Sequence, residues 1–320
     1  MVTVLTSHNH IWQSELVVAS IIQEYQATGQ VTVFMNKEGP CCDSVGMYSL
    51  LDDICKIFKF DPARITIVTH NAEELSDKYN IELHENHWRV LTVESSISNG
   101  FNSKDFHLKK FPIKNLFGCL YNIPSWNRLS LLSYIKFNTK HSSLLACNGT
   151  WEPYKHNSYY LDPVTDYAPE EIFNIVKLIG SGIGPLPQHP GHKPDSWENT
   201  KILNFYHDFF IDVVAETYTN GLTFFPTEKT FRPMFAYTPF IVFGPQGFLS
   251  NLKARYGFRT FDAWWDESYD ECQQYDRIKK MYEVISYIDN QSDAELEAMY
   301  NDMQSVLSHN ADILNDLPPG

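Results

Sequence analysis

Two carboxylates and an ammonium group share residues 216–247, and their spacing suits a ligand that carries both phosphate and hydroxyl groups. A helix opening at Pro226-Thr227-Glu228 would offer backbone N–H donors and a positive dipole end, and Lys229 adds a mobile cation in the same turn. Glu228 cannot serve a phosphate, but it can accept hydrogen bonds from ribose hydroxyls, so the Glu-Lys pair fits a nucleotide. The plainer reading of that dipeptide is a helix start with a surface ion pair. The elements that must position these groups are legible around them. Residues 211–215 (IDVVA) read as a buried strand running into Glu216, Thr227 can cap the helix behind Pro226, residues 230–237 form the helix body, and 239–243 form the next strand. In an open α/β sheet, such a strand–loop–helix–strand unit puts its loop and helix start at the carboxyl ends of strands, where ligands bind.

Thr227-Glu228-Lys229, ahead of a helix and a strand, resembles the Tyr-x-Thr-Glu-Lys signature of the fucosyltransferase-like glycosyltransferases of GT-B type. The core Phe225-Pro226-Thr227-Glu228-Lys229-Thr230-Phe231 is also similar to a set of viral glycosyltransferase-like proteins. So are Gly257-Phe258-Arg259-Thr260-Phe261 and Asp266-Glu267-Ser268-Tyr269-Asp270 after it. The match lies in the later half of the chain. It implies an α/β, GT-B-like fold of two Rossmann-like domains facing across a cleft. Residues 1–112 would bind the acceptor and 113–320 the nucleotide sugar, with a C-terminal helix at 293–314 that could cross back to the first domain. It further implies an enzyme that moves a sugar from a nucleotide-diphosphate sugar to a hydroxyl acceptor by one-step displacement with inversion. No cofactor or metal would be required. Thr227, Glu228, Lys229 and Arg128 would bind the donor, and Glu216 would lie near the donor sugar or its ribose.

For the base, Glu94 is the candidate. It ends a predicted strand at 89–93 (RVLTV), and its position is similar to that of the catalytic glutamate in the first fucosyltransferase domain. A solvated loop glutamate is the alternative. His8, His10 and His70 also follow predicted strands and are rival bases or acceptor contacts. Arg128 stands in the first turn of a predicted helix at 126–136, after a strand at 116–120, where its fork could meet a diphosphate. The turn before it carries Asn122-Ile123 where the viral-type pattern carries Gly-Arg, so Arg128 is the remaining arginine candidate there.

The rest of the chain alternates strands and helices. Strands are expected at 2–6, 31–35, 64–69 and 143–147, and helices at 12–26, 47–58, 73–79, 170–179, 197–209, 247–256 and 269–288. Asp266, Glu267 and Asp270 invite a metal reading, against which helix capping also accounts for them. Cys41, Cys42, Cys55, Cys119, Cys147 and Cys272 have no CxxC spacing and read as reduced structural thiols. A net charge of −14 weighs against a broad grip on nucleic acid or anionic membrane. No apolar window long enough for a membrane span and no signal-peptide pattern is seen, so the cytosol of the host cell is the expected compartment. The acceptor is expected to be a glycan. A viral origin would favour a hydroxymethylated DNA base, for which Lys104, Lys109, Lys110 and Lys114 could form a basic stripe. A non-catalytic nucleotide- or carbohydrate-binding module of the same fold is the third reading.

Overall fold

Short apolar, β-branched runs build two parallel sheets, and each sheet belongs to its own part of the chain. In the computed structural model the described residues are 1–4, 6–7, 10–11, 14–35, 39–84, 109, 111–121, 124–147, 167–183 and 202–315. The chain divides into two units, Met1–Leu91 with Thr217–Thr227, and Thr92–Glu216 with Glu228–Gly320. Both are mixed α/β, compatible with a Rossmann-like fold. The excursion Thr217–Thr227, expected in the second domain, thus belongs to the first unit.

In the first unit, β1 (Val2–Val4), β4 (Val31–Met35), β5 (Ile65–Thr69) and β6 (Asn80–Leu83) form a parallel sheet in that spatial order. A two-stranded antiparallel pair, β2 (Thr6–Ser7) and β3 (His10–Ile11), follows β1. Helix α1 (Ser14–Thr28) leads to β4 and α2 (Met47–Phe58) to β5. Met47, Leu51, Ile54 and Cys55 of α2 are buried, which is the helical repeat of one apolar stripe. They pack with Val17 and Ile21 of α1 and with Val4, Val33, Ile65 and Ile67 of the sheet.

No helix forms at 73–79, and β6 follows a turn instead. Local side chains claim the backbone there: Asn71 Oδ1 accepts from Glu73 N at 3.0 Å, and Ser76 Oγ accepts from the N–H groups of Lys78 and Tyr79 at 3.2 Å. Such bonds compete with helical ones.

The excursion is stitched to this unit by Asn71. Its Nδ2 donates to Leu222 O at 2.8 Å and Glu74 Oε2 at 3.0 Å, while Oδ1 accepts from Phe224 N at 2.8 Å besides Glu73 N. Two donors and two acceptor sites are all an amide has, so the side chain is saturated. Ala72 N donates to Phe224 O, and Thr223 Oγ1 donates to Gly39 O. Gly39 has to be glycine here, because a Cβ would stand 2.4 Å from Asn71 N.

In the second unit, β7 (Asn115–Tyr121), α3 (Trp126–Asn138), β8 (Ser143–Cys147), α4 (Pro169–Ser181), β9 (Phe209–Ala215), α5 (Glu228–Phe235) and β10 (Phe240–Phe243) alternate. The sheet order is β10-β9-β7-β8, all parallel. Gly118 in β7 leaves room for the Phe209 ring, which a Cβ would meet at 2.6 Å. Helices α6 (Phe248–Tyr256), α7 (Gln274–Asp289), α8 (Asp293–Asp302) and α9 (Gln304–Asn315) complete the unit, and α9 packs on α5.

Three expected helices differ. The one at 197–209 ends before Phe209, which already begins β9, and its final turn, Asn204–His207, is a 3-10 turn. The one at 269–288 is broken into a 3-10 turn, Ser268–Glu271, and α7, because the Arg277 guanidinium donates to the carbonyls of Tyr269, Asp270 and Cys272 at 2.8–3.0 Å. The C-terminal helix is two helices meeting at Met303. All six cysteines are free thiols, and five are buried. Among the described residues, no helix is long and apolar enough to cross a membrane.

Candidate functional site

In the second unit, the chain steps from β7 outward to β8 and then returns to the other side of β7 for β9 and β10. The order reverses between β7 and β9. In open parallel sheets the connections on either side of such a point diverge, and ligands bind outside the carboxyl ends of the two strands. Here those ends are Tyr121 and Ala215-Glu216.

Arg128 reaches this point from the first turn of α3, whose N-terminus is capped by Ser125 Oγ accepting from Arg128 N. The side chain is buried. Its Nη2 donates to Ala215 O at 3.1 Å and Glu216 O at 3.4 Å, and the guanidinium lies 5.8 Å from the centre of the Tyr121 ring. It therefore holds the carboxyl end of β9. Glu216, also buried, receives the Thr230 hydroxyl on Oε1, tying the end of β9 to the first turn of α5.

Thr227 is buried immediately before α5. Glu228 and Lys229 open the helix, one-fifth exposed each, with Glu228 Oε1 3.0 Å from Lys229 Nζ. The same oxygen lies 3.0 Å from Nη2 of Arg232, one turn further on and only 8 % exposed. Burial alone would raise the Glu228 carboxyl, but the charges of Lys229 and Arg232 outweigh it and hold the group down at about 2.

Beneath α5 lies a second layer of charge. Asp212, in the middle of β9, is buried and accepts the Tyr206 hydroxyl on Oδ2 at 2.5 Å. Burial pushes its carboxyl from an ordinary 3.8 up to about 7, against the Tyr206 hydrogen bond and the charges of Arg232 and Lys109. Lys109 donates to Tyr206 O at 2.6 Å and Phe209 O at 2.7 Å, and burial lowers its ammonium to about 7 against the pull of Asp212 and Asp208.

The expected residues thus fall in several places. Arg128, Glu216, Glu228 and Lys229 lie at or next to the order reversal, and Thr227 closes the excursion that precedes α5. Glu94 and His8 lie outside the described residues, as do Lys104 and Lys110, and of His10 only the backbone is described. His70 belongs to the first unit. Its buried ring packs among Phe34, His84 and Phe225, with centroids 5.6, 4.6 and 5.9 Å away.

The acidic run after α6 caps backbone. Asp266 accepts from Ser268 N, Glu267 from Phe261 N, and Asp270 from Leu249 N and Ser250 N at the start of α6. Among the described residues no group of three or more His, Cys, Asp or Glu side chains is placed to hold a metal ion.

Arg232, Asp212, Tyr206 and Asn71 were not singled out from the sequence, and Lys109 was named only as part of a basic stripe. A signal existed for two of them. Asp212 is the lone charge in an apolar strand, and buried charges are informative because they need partners. Arg232 stands four residues after Glu228, the spacing of a helical ion pair.

The second unit is therefore an α/β unit with a switch point at which a cation-flanked carboxylate and a helix start meet. No protein-family model, curated protein or solved structure matches the chain.

Proposed function

We propose that this chain is a glycosyltransferase of GT-B type that takes its donor, a nucleotide-diphosphate sugar, at the β7/β9 switch point. The observation that carries the reading is the reversal of strand order, at whose carboxyl ends Arg128, Glu216 and the start of α5 occur together. In this reading Glu228 receives the ribose hydroxyls. Lys229 and the N–H groups of α5 receive the diphosphate, with Arg128 beside them. The acceptor oxygen attacks the anomeric carbon as the bond from that carbon to the diphosphate oxygen breaks. The acceptor proton passes to a base, for which the resemblance nominates Glu94. The negative charge left on the diphosphate is met by the same cations and dipoles.

A glycan acceptor is favoured over DNA by the state of the lysine cluster. Lys109 is committed to the carbonyls of Tyr206 and Phe209, and Lys114 pairs with Asp208 at 3.5 Å. Lys109 is therefore not arranged for a phosphate backbone.

A thermal-shift panel of GDP, UDP, CDP, TDP and ADP, with and without Mg²⁺, tests the donor site on the wild type and on Lys229→Ala. A ligand at a hundred times its dissociation constant stabilises the folded state by about 2.7 kcal/mol. One diphosphate should shift the melting temperature, with affinity falling at least about tenfold in the variant, the loss expected for a charge-assisted contact. No shift with any of the five would sink the reading. Binding without sugar transfer to any hydroxyl acceptor would leave a binding module.

A further inference from the structure

The two cations on Glu228 differ in kind. Lys229 has a flexible stem and is one-fifth exposed, whereas Arg232 is a planar guanidinium at 8 % exposure. Both reach the same oxygen, Oε1. If Lys229 swings to a diphosphate, Glu228 loses one of its two cations at the moment a ribose must find the carboxylate ionised and in place. Arg232 cannot follow, because it is buried. It is the partner that remains.

We propose that Arg232 is the positioning residue of the donor site: it fixes Glu228 by Oε1 and so confers recognition of the ribose hydroxyls, while Lys229 is released to the diphosphate. The ribose role rests on the nucleotide-sugar reading above, and the clamp on Glu228 does not. The arrangement works as a division of labour between neighbours one turn apart. The exposed cation moves with the ligand, and the buried one keeps the acceptor group oriented. Asp212 and Arg232 interact electrostatically, and Tyr206 holds Asp212 by its hydroxyl. A lysine at 232 would keep the charge but not the planar fork that matches a carboxylate.

The experiment compares wild type, Arg232→Gln and Arg232→Lys in two measurements. The first is affinity for inorganic pyrophosphate, for the ribonucleoside diphosphate that shifts the wild type, and for its 2′,3′-dideoxy counterpart. Wild type should favour the ribose form by about tenfold or more, the worth of a charge-assisted hydrogen bond. Arg232→Gln should bring that preference to within about twofold and change pyrophosphate binding by less than about threefold, because Lys229 is intact. Arg232→Lys should recover part of the preference. A wild-type preference in Arg232→Gln would overturn the proposal.

The second measurement needs no ligand. The Glu228 carboxyl, followed by carbon NMR across acid pH, should stay ionised down to about 2 in the wild type. In Arg232→Gln it should titrate about one unit or more higher, as a carboxylate does on losing an adjacent cation. An unmoved titration would overturn the clamp even if nucleotides bind. A moved titration with no nucleotide bound by the wild type would uphold the clamp and overturn both the ribose role and the donor reading. Should Arg232→Gln not fold, the double variant Asp212→Asn/Arg232→Gln, which neutralises both buried partners, takes its place in both measurements.

Discussion

The two units use the same parallel βα grammar and treat buried polarity in opposite ways. In the first, strand order among the described residues runs β1-β4-β5-β6 without a turn back, and the polar centre is the saturated amide of Asn71 with Glu74 beside it. Glu74 is itself engaged on both oxygens, taking Cys42 N and Asn71 Nδ2 on one and the Tyr48 hydroxyl on the other. In the second, the order reverses at β7, and a line of charge runs from Arg232 in α5 through Asp212 in the middle of β9 to Lys109 at the amino end of that strand. A saturated cluster secures a loop and has little left to offer a ligand. A strained set of charges keeps neighbouring groups polarised, which is what a recognition site needs.

The sharpest way to break this comparison is to remove the apolar part of the first unit's stitch. Phe224 is fully buried, so Phe224→Ala should cost about 4 kcal/mol through lost burial and a cavity. Chemical denaturation followed by hydrogen exchange should show that loss in the first unit's sheet. A cost under about 1 kcal/mol would mean the excursion merely rests on the surface.

A smaller, pH-dependent effect is expected at Asp212. Its folded carboxyl is raised to about 7 from an ordinary 3.8, so the folded state binds more protons than the unfolded one between those values. Stability therefore falls as pH rises through that window, and Asp212→Asn should lack the fall. The gap between variant and wild type should widen by about 3 kcal/mol from pH 4 to pH 7, an upper value set by the size of the shift. Lys109 has the opposite sign: its folded ammonium is lowered to about 7, so its contribution favours the folded state increasingly above neutrality. Parallel melting curves for the two proteins across pH 4–7 would show that Asp212 adds no strain.

Smallest of the three is Asn71→Ala. Four hydrogen bonds are lost, but the cavity admits water, and a cost of about 2 kcal/mol is expected. Amide exchange at Phe224, whose N–H it accepts, should rise first.

Much of this architecture was legible in the residues. The strands at 31–35 and 143–147 and the helix at 47–58 agree with the structure end for end, because their apolar periods are unbroken and a left-handed Lys59 ends the helix. β6 was missed, since its one mostly exposed run, NIEL, carries no alternation, and pairing with β5 alone makes it a strand. The groups at the switch point were found through the Glu-Lys pair, yet the reversal that gathers them is a matter of sheet order, which no local pattern encodes. Arg128 shows the same limit. Its type and position in α3 were readable, but the carbonyls of Ala215 and Glu216 that it engages lie far along the chain. Asp212 carried an unused signal as the lone charge in an apolar strand, whereas its partners Tyr206 and Lys109 are joined to it only by folding.

The excursion at Thr217–Thr227 bears on how this gene can be taken apart. A fragment stopping at residue 112 would carry Asn71 with no Leu222 carbonyl to receive its amide and no Phe224 N–H to meet its oxygen. A fragment starting at 113 would display Phe224 and Phe225, buried in the intact protein, to solvent. No single cut yields two self-sufficient halves, so modular exchange with another protein would have to transplant a discontinuous piece, or splice the excursion onto the end of the first fragment by circular permutation.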